Sequence, residues 1–529
     1  MPFTLSSQPV TRRGFLPVIA SRLFSNPYGS PKGRDYHLCL SPDAIEADPE
    51  LLELVRAAGV STVWVTGFMY GYWPYSLERI GQARRRIEKA GMASHAVNVP
   101  LGHPGDSLGA MHGDIPLSPP RHWKLAVRMD GKTHSGTSLH APATAENVNA
   151  IGRLAAAGVR QVFLDDDFRV AQGPGQIGGC FCEDHLSRFL DRHGYAANKR
   201  TELTGAIQAR ELTPMVRQWI EFWCDELSAS FRAQQKAASP AETGIMVMYL
   251  GSEKAGIRLS DYTRVPFRVG ELMFDDRSFG PVKGKTDELF SVLFHRRFAP
   301  PELAYSETTA FPADRLSARN MSAKLIISTL ADVRHTMFMS GLTPFPRSHW
   351  QSLGPAMRKQ ADLHSVIAGH APRGPFKHYW GESSRMVGDD RPYSLFLACG
   401  VPFEVTQEPA RDGWTFLSDR DARALAARRP DSDGTRFVAR TPSASASTLL
   451  ALPENLSELF AFKRRILPEL AEVPVVMDDK PIVCAWYPSI RKVVLWNLSE
   501  GSTTCSLAYK GKRRELTLGA LDSEIMALA

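Results

Sequence analysis

The sequence predicts an α/β protein with a (β/α)8 barrel, then a smaller α/β layer domain and a terminal antiparallel β module. Between residues 35 and 372, short apolar β-rich runs alternate with segments of helical periodicity, and eight such units match a barrel with insertions. After Pro372 the alternation continues on a smaller scale, and after Pro481 only short strands and turns remain. A chain of 529 residues is also too long to form a single hydrophobic core, since domains usually hold roughly 100–200 residues.

Each predicted barrel strand is an apolar run that is followed by a helical segment. The strands are Tyr36–Leu40, Thr62–Thr66, His95–Val99, Val159–Leu164, Ile245–Leu250, Gly270–Phe274, Leu303–Ser306 and His335–Met339. The helices are Pro49–Ala58, Leu77–Ala90, Ala145–Ala157, Pro214–Ala237, Asp287–Phe298, Ala318–Leu330 and Pro355–Gly369. The unit between the fifth and sixth strands is the least secure, because its helical stretch, Leu259–Val265, is short.

Two long insertions follow the third and fourth strands. The first spans residues 103–143 and predicts a hairpin from Trp123 through Asp130-Gly131. The second spans residues 168–213 and begins with A-Q-G-P-G-Q-I-G-G. Loops of this length in a compact domain are usually functional.

The predicted domains are a leader (1–30), the barrel (31–373), the α/β domain (374–476) and the β module (477–529). In the α/β domain we expect strands at Tyr393–Leu397, Gly413–Leu417 and Thr448–Leu452, with helices at Asp419–Ala427 and Leu456–Leu470. The β module contains the runs P-I-V-C-A-W-Y, K-V-V-L-W-N-L, T-T-C-S-L-A-Y and R-E-L-T-L.

Composition excludes several classes of protein. Hydrophobic residues make up 43% and charged residues 22% of the chain, as in an ordinary soluble protein, and no run approaches the ~18 apolar residues of a membrane helix. The net charge of +7 is scattered, and its densest cluster, Arg84-Arg85-Arg86 beside Glu88, is typical of a solvated helix face and not of a nucleic-acid site. Seven cysteines, few and odd in number, argue against a disulfide framework.

The leader carries Arg12-Arg13 followed by Phe15-Leu16, which is typical of a twin-arginine export signal. Pro17 and Arg22 interrupt the apolar stretch, and no clear cleavage site follows. We therefore expect a periplasmic or secreted protein. The alternative is a basic leader without a targeting role on a cytoplasmic protein.

Acidic residues gather at the predicted C-terminal strand ends, where barrels of this type carry their chemistry. Asp165, Asp166 and Asp167 end the fourth strand, Asp275 and Asp276 the sixth, and Glu307 the seventh. Aromatic and imidazole side chains follow strands two and eight, namely Tyr70, Trp73, His349 and Trp350. Hydrolysis of a glycosidic bond needs such a set, since one carboxyl protonates the leaving oxygen while another attacks the anomeric carbon or activates water. Crowded carboxylates also raise the pKa of one of them, which keeps an acid protonated near neutral pH.

Each of these residues also has an ordinary structural explanation. Asp165 could pair with Arg169, Asp275 and Asp276 could form a turn with Arg277, and Glu307 could cap the next segment. The aromatic residues could simply pack in the core or in loops. The prediction therefore depends on their convergence at one end of one barrel.

The chain resembles family-42 glycoside hydrolases, the trimeric β-galactosidase type. That family has Asp-Asn-Glu-Tyr at strand four followed by Cys-x-Cys-x-x-Cys, and this chain has Asp165-Asp166-Asp167-Phe168 and then Cys180-Phe181-Cys182-Glu183-Asp184-His185. The family's nucleophile is a glutamate ending strand seven, as Glu307 does here. The resemblance implies a TIM barrel, a flavodoxin-like α/β domain and a small C-terminal β-sandwich, in that order, and a homo-oligomer, trimer or dimer.

By this resemblance Asp167 is the general acid, Glu307 the nucleophile or base, and Asp166 stands at the asparagine that holds the 2-hydroxyl of the sugar. Two of these positions depart from the family. Asp167 is one methylene shorter than glutamate, about 1.5 Å, which moves the two carboxyls apart and leaves retention or inversion open. Asp166 cannot donate a hydrogen bond as asparagine does unless it is protonated. We expect Asp165, Asp275, Asp276 and the aromatic and imidazole residues to bind the carbohydrate substrate.

The resemblance also implies part of a structural zinc site. Cys180, Cys182 and His185 match that cluster, while the family's fourth cysteine has no counterpart and His140 could replace it. The alternative is a packed loop of reduced thiols. No cofactor is expected to be required for the chemistry itself.

Two other functions stay open. A metal-dependent hydrolase would use the aspartates as ligands, although the first strand, D-Y-H-L-C-L, lacks the His-x-His of barrel amidohydrolases. A non-catalytic glycan-binding barrel is the third possibility, because the acid/base position is substituted.

Overall fold

The computed structural model describes residues 33–101, 119–133, 139–165, 168–171, 173–270, 272–410, 412–428, 436–440 and 449–528. Eight parallel strands close into a barrel in chain order, and β1 pairs with both β2 and β8 to complete it. The strands are β1 Asp35–Leu40, β2 Thr62–Met69, β3 Ala93–Val99, β4 Gln161–Leu164, β5 Glu242–Val247, β6 Phe267–Val269, β7 Ala304–Thr309 and β8 His335–Met339.

Helices surround the barrel and extend its insertions. In the described residues they are α1 Pro42–Ala47, α2 Leu51–Ala58, α3 Leu77–Lys89, α4 Ala143–Ala156, α5 Glu183–His193, α6 Arg200–Ala209, α7 Pro214–Ala238, α8 Asp276–Phe279, α9 Val282–His295, α10 Ala318–Leu330 and α11 His349–Ile367. The longest, α7, begins where Thr213 accepts a hydrogen bond from Val216 N–H and proline occupies the first turn. Between β5 and β6 the chain forms two short 3-10 helices, Glu253–Ala255 and Leu259–Tyr262, and the second lies in the short periodic stretch noted in the sequence.

The predicted position of the sixth strand is wrong. Phe267–Val269 forms β6 and pairs with β5 and β7. The predicted strand was Gly270–Phe274, and its described residues, Gly270 and 272–274, lie outside any strand. The prediction followed the apolar run L-M-F and passed over a strand that carries a charge in its centre, Arg268. A buried arginine is stable there only because carboxylates from other strands pair with it.

The second domain is a parallel sheet of β9 Phe376–Tyr379, β10 Phe403–Thr406, β11 Trp414–Phe416, β12 Arg436–Ala439 and β13 Leu449–Ala451. Its order, β10-β9-β11-β12-β13, is that of a flavodoxin-like sheet. The helices are α12 Glu382–Val387, α13 Asp419–Arg428 and α14 Leu456–Ile466. The predicted strand Tyr393–Leu397 is wrong, because Ser394–Ala398 forms a 3-10 helix that Ser394 fixes to Thr286 and Asp287 of α9.

The last segment forms two antiparallel three-stranded sheets. They are β14-β17-β18 and β15-β16-β19, with β14 Val475–Val476, β15 Ile482–Tyr487, β16 Lys492–Asn497, β17 Thr503–Tyr509, β18 Lys512–Leu518 and β19 Ser523–Ala527. The predicted fold class, a barrel followed by these two further units, is confirmed. None of the described helices combines the length and the apolarity that crossing a bilayer requires. The leader with Arg12-Arg13 lies outside the described residues.

Candidate active site

The barrel interior changes from aromatic to charged along its axis. Side chains two residues apart on a strand share a face, so Phe163 and Asp165 both face the interior, as do Tyr305 and Glu307. The Phe163 ring packs against Tyr305 with centroids 5.0 Å apart and against Trp64 at 4.7 Å. This aromatic layer closes the barrel below the carboxylates, which therefore stand at the C-terminal end.

One arginine joins two of the predicted site residues. Nε of Arg268 lies 3.0 Å from Oε2 of Glu307, and its Nη2 contacts Oδ1 of Asp165. We call these three residues the carboxylate–arginine cluster; their side chains are at most 3% exposed. The Thr309 hydroxyl donates a hydrogen bond to Oε1 of Glu307. The ends of β4 and β7 thus bring their carboxylates to one guanidinium.

The rest of the guanidinium is surrounded by soft, weakly polar atoms. Nη1 of Arg268 lies 2.7 Å from Sδ of Met337, and Nη2 lies 3.2 Å from Sδ of Met246. Its carbon lies 5.2 Å from the centroid of the Phe163 ring. Burial raises the pKa of the nearby Cys39 to about 12, so this side chain stays a neutral thiol. In so apolar a setting the two carboxylates are the strong partners of Arg268 among the described residues.

The predicted site did not include Arg268. The sequence predicted Asp165 at the end of the fourth strand but not its ion pair with this arginine. Arg169 does not pair with Asp165, because it stacks on the Tyr249 ring at 4.4 Å and donates a hydrogen bond to the Ala171 carbonyl. Asp166 and Asp167 follow Asp165 directly but lie outside the described residues. A signal for Arg268 was available in V-P-F-R-V-G, a single charge between β-forming residues.

Asp275 and Asp276 do not end a strand. Asp275 is the N-cap of α8 and forms a capping box with Ser278. Oδ1 of Asp276 accepts hydrogen bonds from the Ser317 backbone and hydroxyl and from the Asn320 amide. Both carboxylates therefore have structural partners, and their predicted position at the end of strand six is corrected.

The four aromatic and imidazole residues do not form one exposed rim. Trp350 is 3% exposed and packs on Phe338 in the layer between barrel and helices, and Tyr70 is fully buried, so neither presents a free face. Trp73 is partly exposed, but Arg153 lies 4.9 Å from its ring centroid. Nε2 of His349 lies 3.1 Å from the Leu316 carbonyl. Of the four, Trp73 and His349 keep partly accessible side chains.

A cavity opens beside the charged cluster, between the barrel and the second domain. Its volume is about 100 Å³, enough for one aromatic ring and smaller than most small-molecule sites. Met248, Gly270 and Leu272 belong to its barrel wall, and Arg391 and Pro392 to the opposite wall. A Cβ on Gly270 would stand 2.4 Å from Cε of Met246, the residue that contacts Arg268, so the cavity is one side chain away from the guanidinium.

Four potential metal ligands converge where the two insertions meet. His140, Cys180, Cys182 and His185 place their ligand atoms within 4.8 Å of one another. Nε2 of His140 lies 3.8 Å from Sγ of Cys180 and 3.6 Å from Sγ of Cys182, and Nδ1 of His185 lies 3.3 Å from Sγ of Cys182. Tetrahedral zinc, with bonds of about 2.0–2.3 Å, separates its ligand atoms by roughly 3.3–3.8 Å. Burial lowers the pKa of His185 to about 3, which keeps this imidazole in the neutral form that binds metal.

A second acidic and histidine cluster lies at the N-terminal end of the barrel. Oδ1 of Asp35 lies 3.1 Å from Nε2 of His37 and 2.5 Å from Nδ1 of His335, across the β1–β8 seam. Trp64 donates a hydrogen bond to Nδ1 of His37 at 2.9 Å, so Nε2 of His37 carries the hydrogen and faces Asp35. This arrangement suits hydrogen bonding across the seam and not metal ligation, and it stands opposite the C-terminal face.

Comparison with solved structures finds the same architecture in glycosidases. A β-galactosidase from Rahnella sp. R3 superposes with a TM-score of 0.61 at 11% identity, over 94% of this chain and 98% of that one. A family-42 β-galactosidase from G. stearothermophilus gives 0.59 at 9% identity, over 94% and 98%. An α-L-fucosidase from Paenibacillus thiaminolyticus gives 0.56 at 9%, over 94% and 99%. The remote family-42 resemblance is confirmed at the level of the fold.

No protein-family model and no curated protein sequence matches the chain. At about a tenth identical, the structural likeness establishes a shared fold, and the chemistry has to be argued from the site.

Proposed function

We propose that this protein is a glycoside hydrolase that cleaves a glycosidic bond of an oligosaccharide or glycan at the C-terminal face of the barrel. The observation that carries the proposal is the carboxylate–arginine cluster, in which Asp165 and Glu307 meet at the strand ends. β-Galactosidases and an α-L-fucosidase of the same fold support it.

In this proposal Glu307 is the nucleophile or the general base. Arg268 holds Oε2 and the Thr309 hydroxyl holds Oε1, so the carboxylate has a fixed orientation before substrate arrives. Asp167 is the general acid, and Asp166 tunes it or binds the substrate. Asp165 pairs with Arg268 and helps to hold its guanidinium in position. Whether the anomeric configuration is retained or inverted follows from the separation of Asp167 and Glu307.

The test is turnover of a panel of aryl glycosides by full-length Asp167→Asn and Glu307→Gln, with NMR of the first anomer released. We expect each variant to lose at least about a hundredfold in kcat, since general acid–base catalysis contributes about 10²–10⁴-fold. Glu472→Gln, an exposed surface exchange, is the control and keeps full activity. A folded Glu307→Gln protein with wild-type turnover would remove this residue from the mechanism.

A non-catalytic glycan-binding protein is the second candidate, and one observation favours it. Glu307 is 3% exposed and paired with Arg268, as a purely structural carboxylate would be. Calorimetric binding of oligosaccharides without any product across the panel would establish this function in place of hydrolysis.

We also propose that His140, Cys180, Cys182 and His185 hold a structural zinc ion, because their separations suit a tetrahedral site. The ion would join the two insertions above the barrel and would take no part in the reaction. Metal analysis of the purified protein before and after chelation tests this, with thermal unfolding as the second readout.

A further inference from the structure

The cavity between the barrel and the second domain has the properties of a ligand site. Most of its exposed wall is apolar and comes from residues such as Met248, Leu272 and Pro392. Polar and charged side chains also line it, namely Lys283, Asp287, Glu288, Ser291, Asp390 and Arg391. The apolar part of the wall would bind the apolar face of a small molecule and exclude water from it.

One buried polar atom in this apolar wall has no partner. Glu288 lines the cavity and is 3% exposed. Its Oε1 accepts hydrogen bonds from Lys324 Nζ and the Met273 backbone N–H, both at 2.8 Å, while Oε2 has no hydrogen-bond partner in the described part of the chain. A buried carboxylate oxygen without a donor is costly, so a ligand that supplies a hydroxyl would be favoured there.

The wall contributed by the second domain is held in place. Asp390, next to Arg391 and Pro392, forms a buried ion pair with Lys254 and accepts a hydrogen bond from the Gly175 N–H at 2.8 Å. The Trp380 indole also donates to the Leu250 carbonyl at 3.3 Å. A cavity whose opposite wall is fixed in this way needs little rearrangement to bind a ligand.

The cavity also adjoins the proposed reaction centre. Met246 separates Gly270 in the cavity wall from Arg268 in the carboxylate–arginine cluster. A substrate with its sugar at Glu307 could place its other half in this cavity.

We propose that this cavity binds the leaving group of the substrate and that this group is an apolar, aromatic-sized aglycone, whose hydroxyl is formed when the glycosidic bond is cleaved and then donates a hydrogen bond to Glu288. The assignment of the occupant as an aglycone rests on the proposed glycosidase function. The cavity itself should bind such a compound without any sugar attached.

The experiment measures binding of umbelliferone and of its methyl ether to the full-length protein by fluorescence titration. We expect saturable binding of umbelliferone, with the methyl ether about tenfold weaker or more, because it cannot donate to Glu288. Leu272→Trp, which fills the cavity from a partly exposed position, should abolish binding. Val366→Trp, an exposed position outside the cavity, is the matched control and should bind as wild type does.

Two outcomes would overturn the inference: no saturable binding to the wild-type protein, or equal binding to Leu272→Trp. Equal affinity for the two ligands would remove Glu288 as the acceptor and so refute the hydroxyl requirement. Hydrolysis of an aryl and a methyl glycoside of the same sugar is measured separately, and Leu272→Trp should raise KM for the aryl compound alone. A protein that binds umbelliferone but cleaves no glycoside would refute the proposed function while the cavity assignment stands.

Discussion

Replacing Arg268 by methionine should destabilise the barrel far more than removing an exposed arginine. Methionine is unbranched and suits a pocket already lined by the thioethers of Met246 and Met337, so the exchange removes the charge and leaves only a small void. Losing one partner of a buried ion pair costs about 3–5 kcal/mol. Here two carboxylates lose their partner at once, which places the expected loss at the upper end, about 5 kcal/mol.

Urea unfolding followed by circular dichroism measures this loss. Without Arg268, two carboxylates remain buried close together with no cation to pair with them, which destabilises the folded state. The variant should therefore unfold at a lower urea concentration than the wild type at pH 7. Arg319→Met, which removes an exposed pair with Glu500, is the control and should change the midpoint little. A wild-type midpoint for Arg268→Met at pH 7 would refute the account of the cluster.

Three further predictions concern other parts of the barrel. Burial disfavours the charged form of His335, but Asp35 outweighs this effect and raises the pKa of His335. The pair therefore stabilises the fold at low pH, and this contribution is lost as the pH rises through the raised pKa. His335→Gln should flatten the pH dependence of the unfolding midpoint between pH 5 and 9, and an unchanged profile would contradict this role. Cys182→Ser should lower the zinc content of the purified protein and its thermal midpoint together, whereas wild-type protein without zinc would exclude a metal site. Gly179→Ala should destabilise the fold by about 1–3 kcal/mol in urea unfolding, because φ is +129° and the new Cβ would stand 2.3 Å from Nε1 of Trp223. A wild-type midpoint would show that the loop shifts to accommodate the methyl group.

The barrel was predictable from the sequence because its strands alternate with helical segments and many of them, such as β2 and β8, are apolar runs. β8 lies at the predicted residues, and Glu307 falls on β7 as expected. β6 was not predictable in the same way, since its centre is Arg268 and the partners that make this charge tolerable, Asp165 and Glu307, are distant in sequence. The hydrophobic pattern of a short segment predicts whether that segment is buried. It cannot predict an ion pair between strands that meet only once the barrel has closed.

The same limit applies to the other site residues. His140 and the pair Cys180 and Cys182 are about forty residues apart, and only a motif suggested that they meet. Trp350 looked like a rim residue because it follows β8, but its place on the inner face of α11 puts it against Phe338. Sequence position fixes which strand a residue follows, while the direction of its side chain depends on helix phase.

Oxidation of the methionine sulfur atoms around Arg268 would disturb the charged cluster inside the barrel. Conversion of Met337 or Met246 to its sulfoxide would place a strongly polar S=O group beside a guanidinium that Glu307 and Asp165 now share. The oxygen on Met246 would compete with Asp165 for Nη2 of Arg268, and the oxygen on Met337 would bind Nη1. Peroxide that oxidised these uncharged methionines would therefore affect the two carboxylates indirectly, through the arginine that all four residues contact.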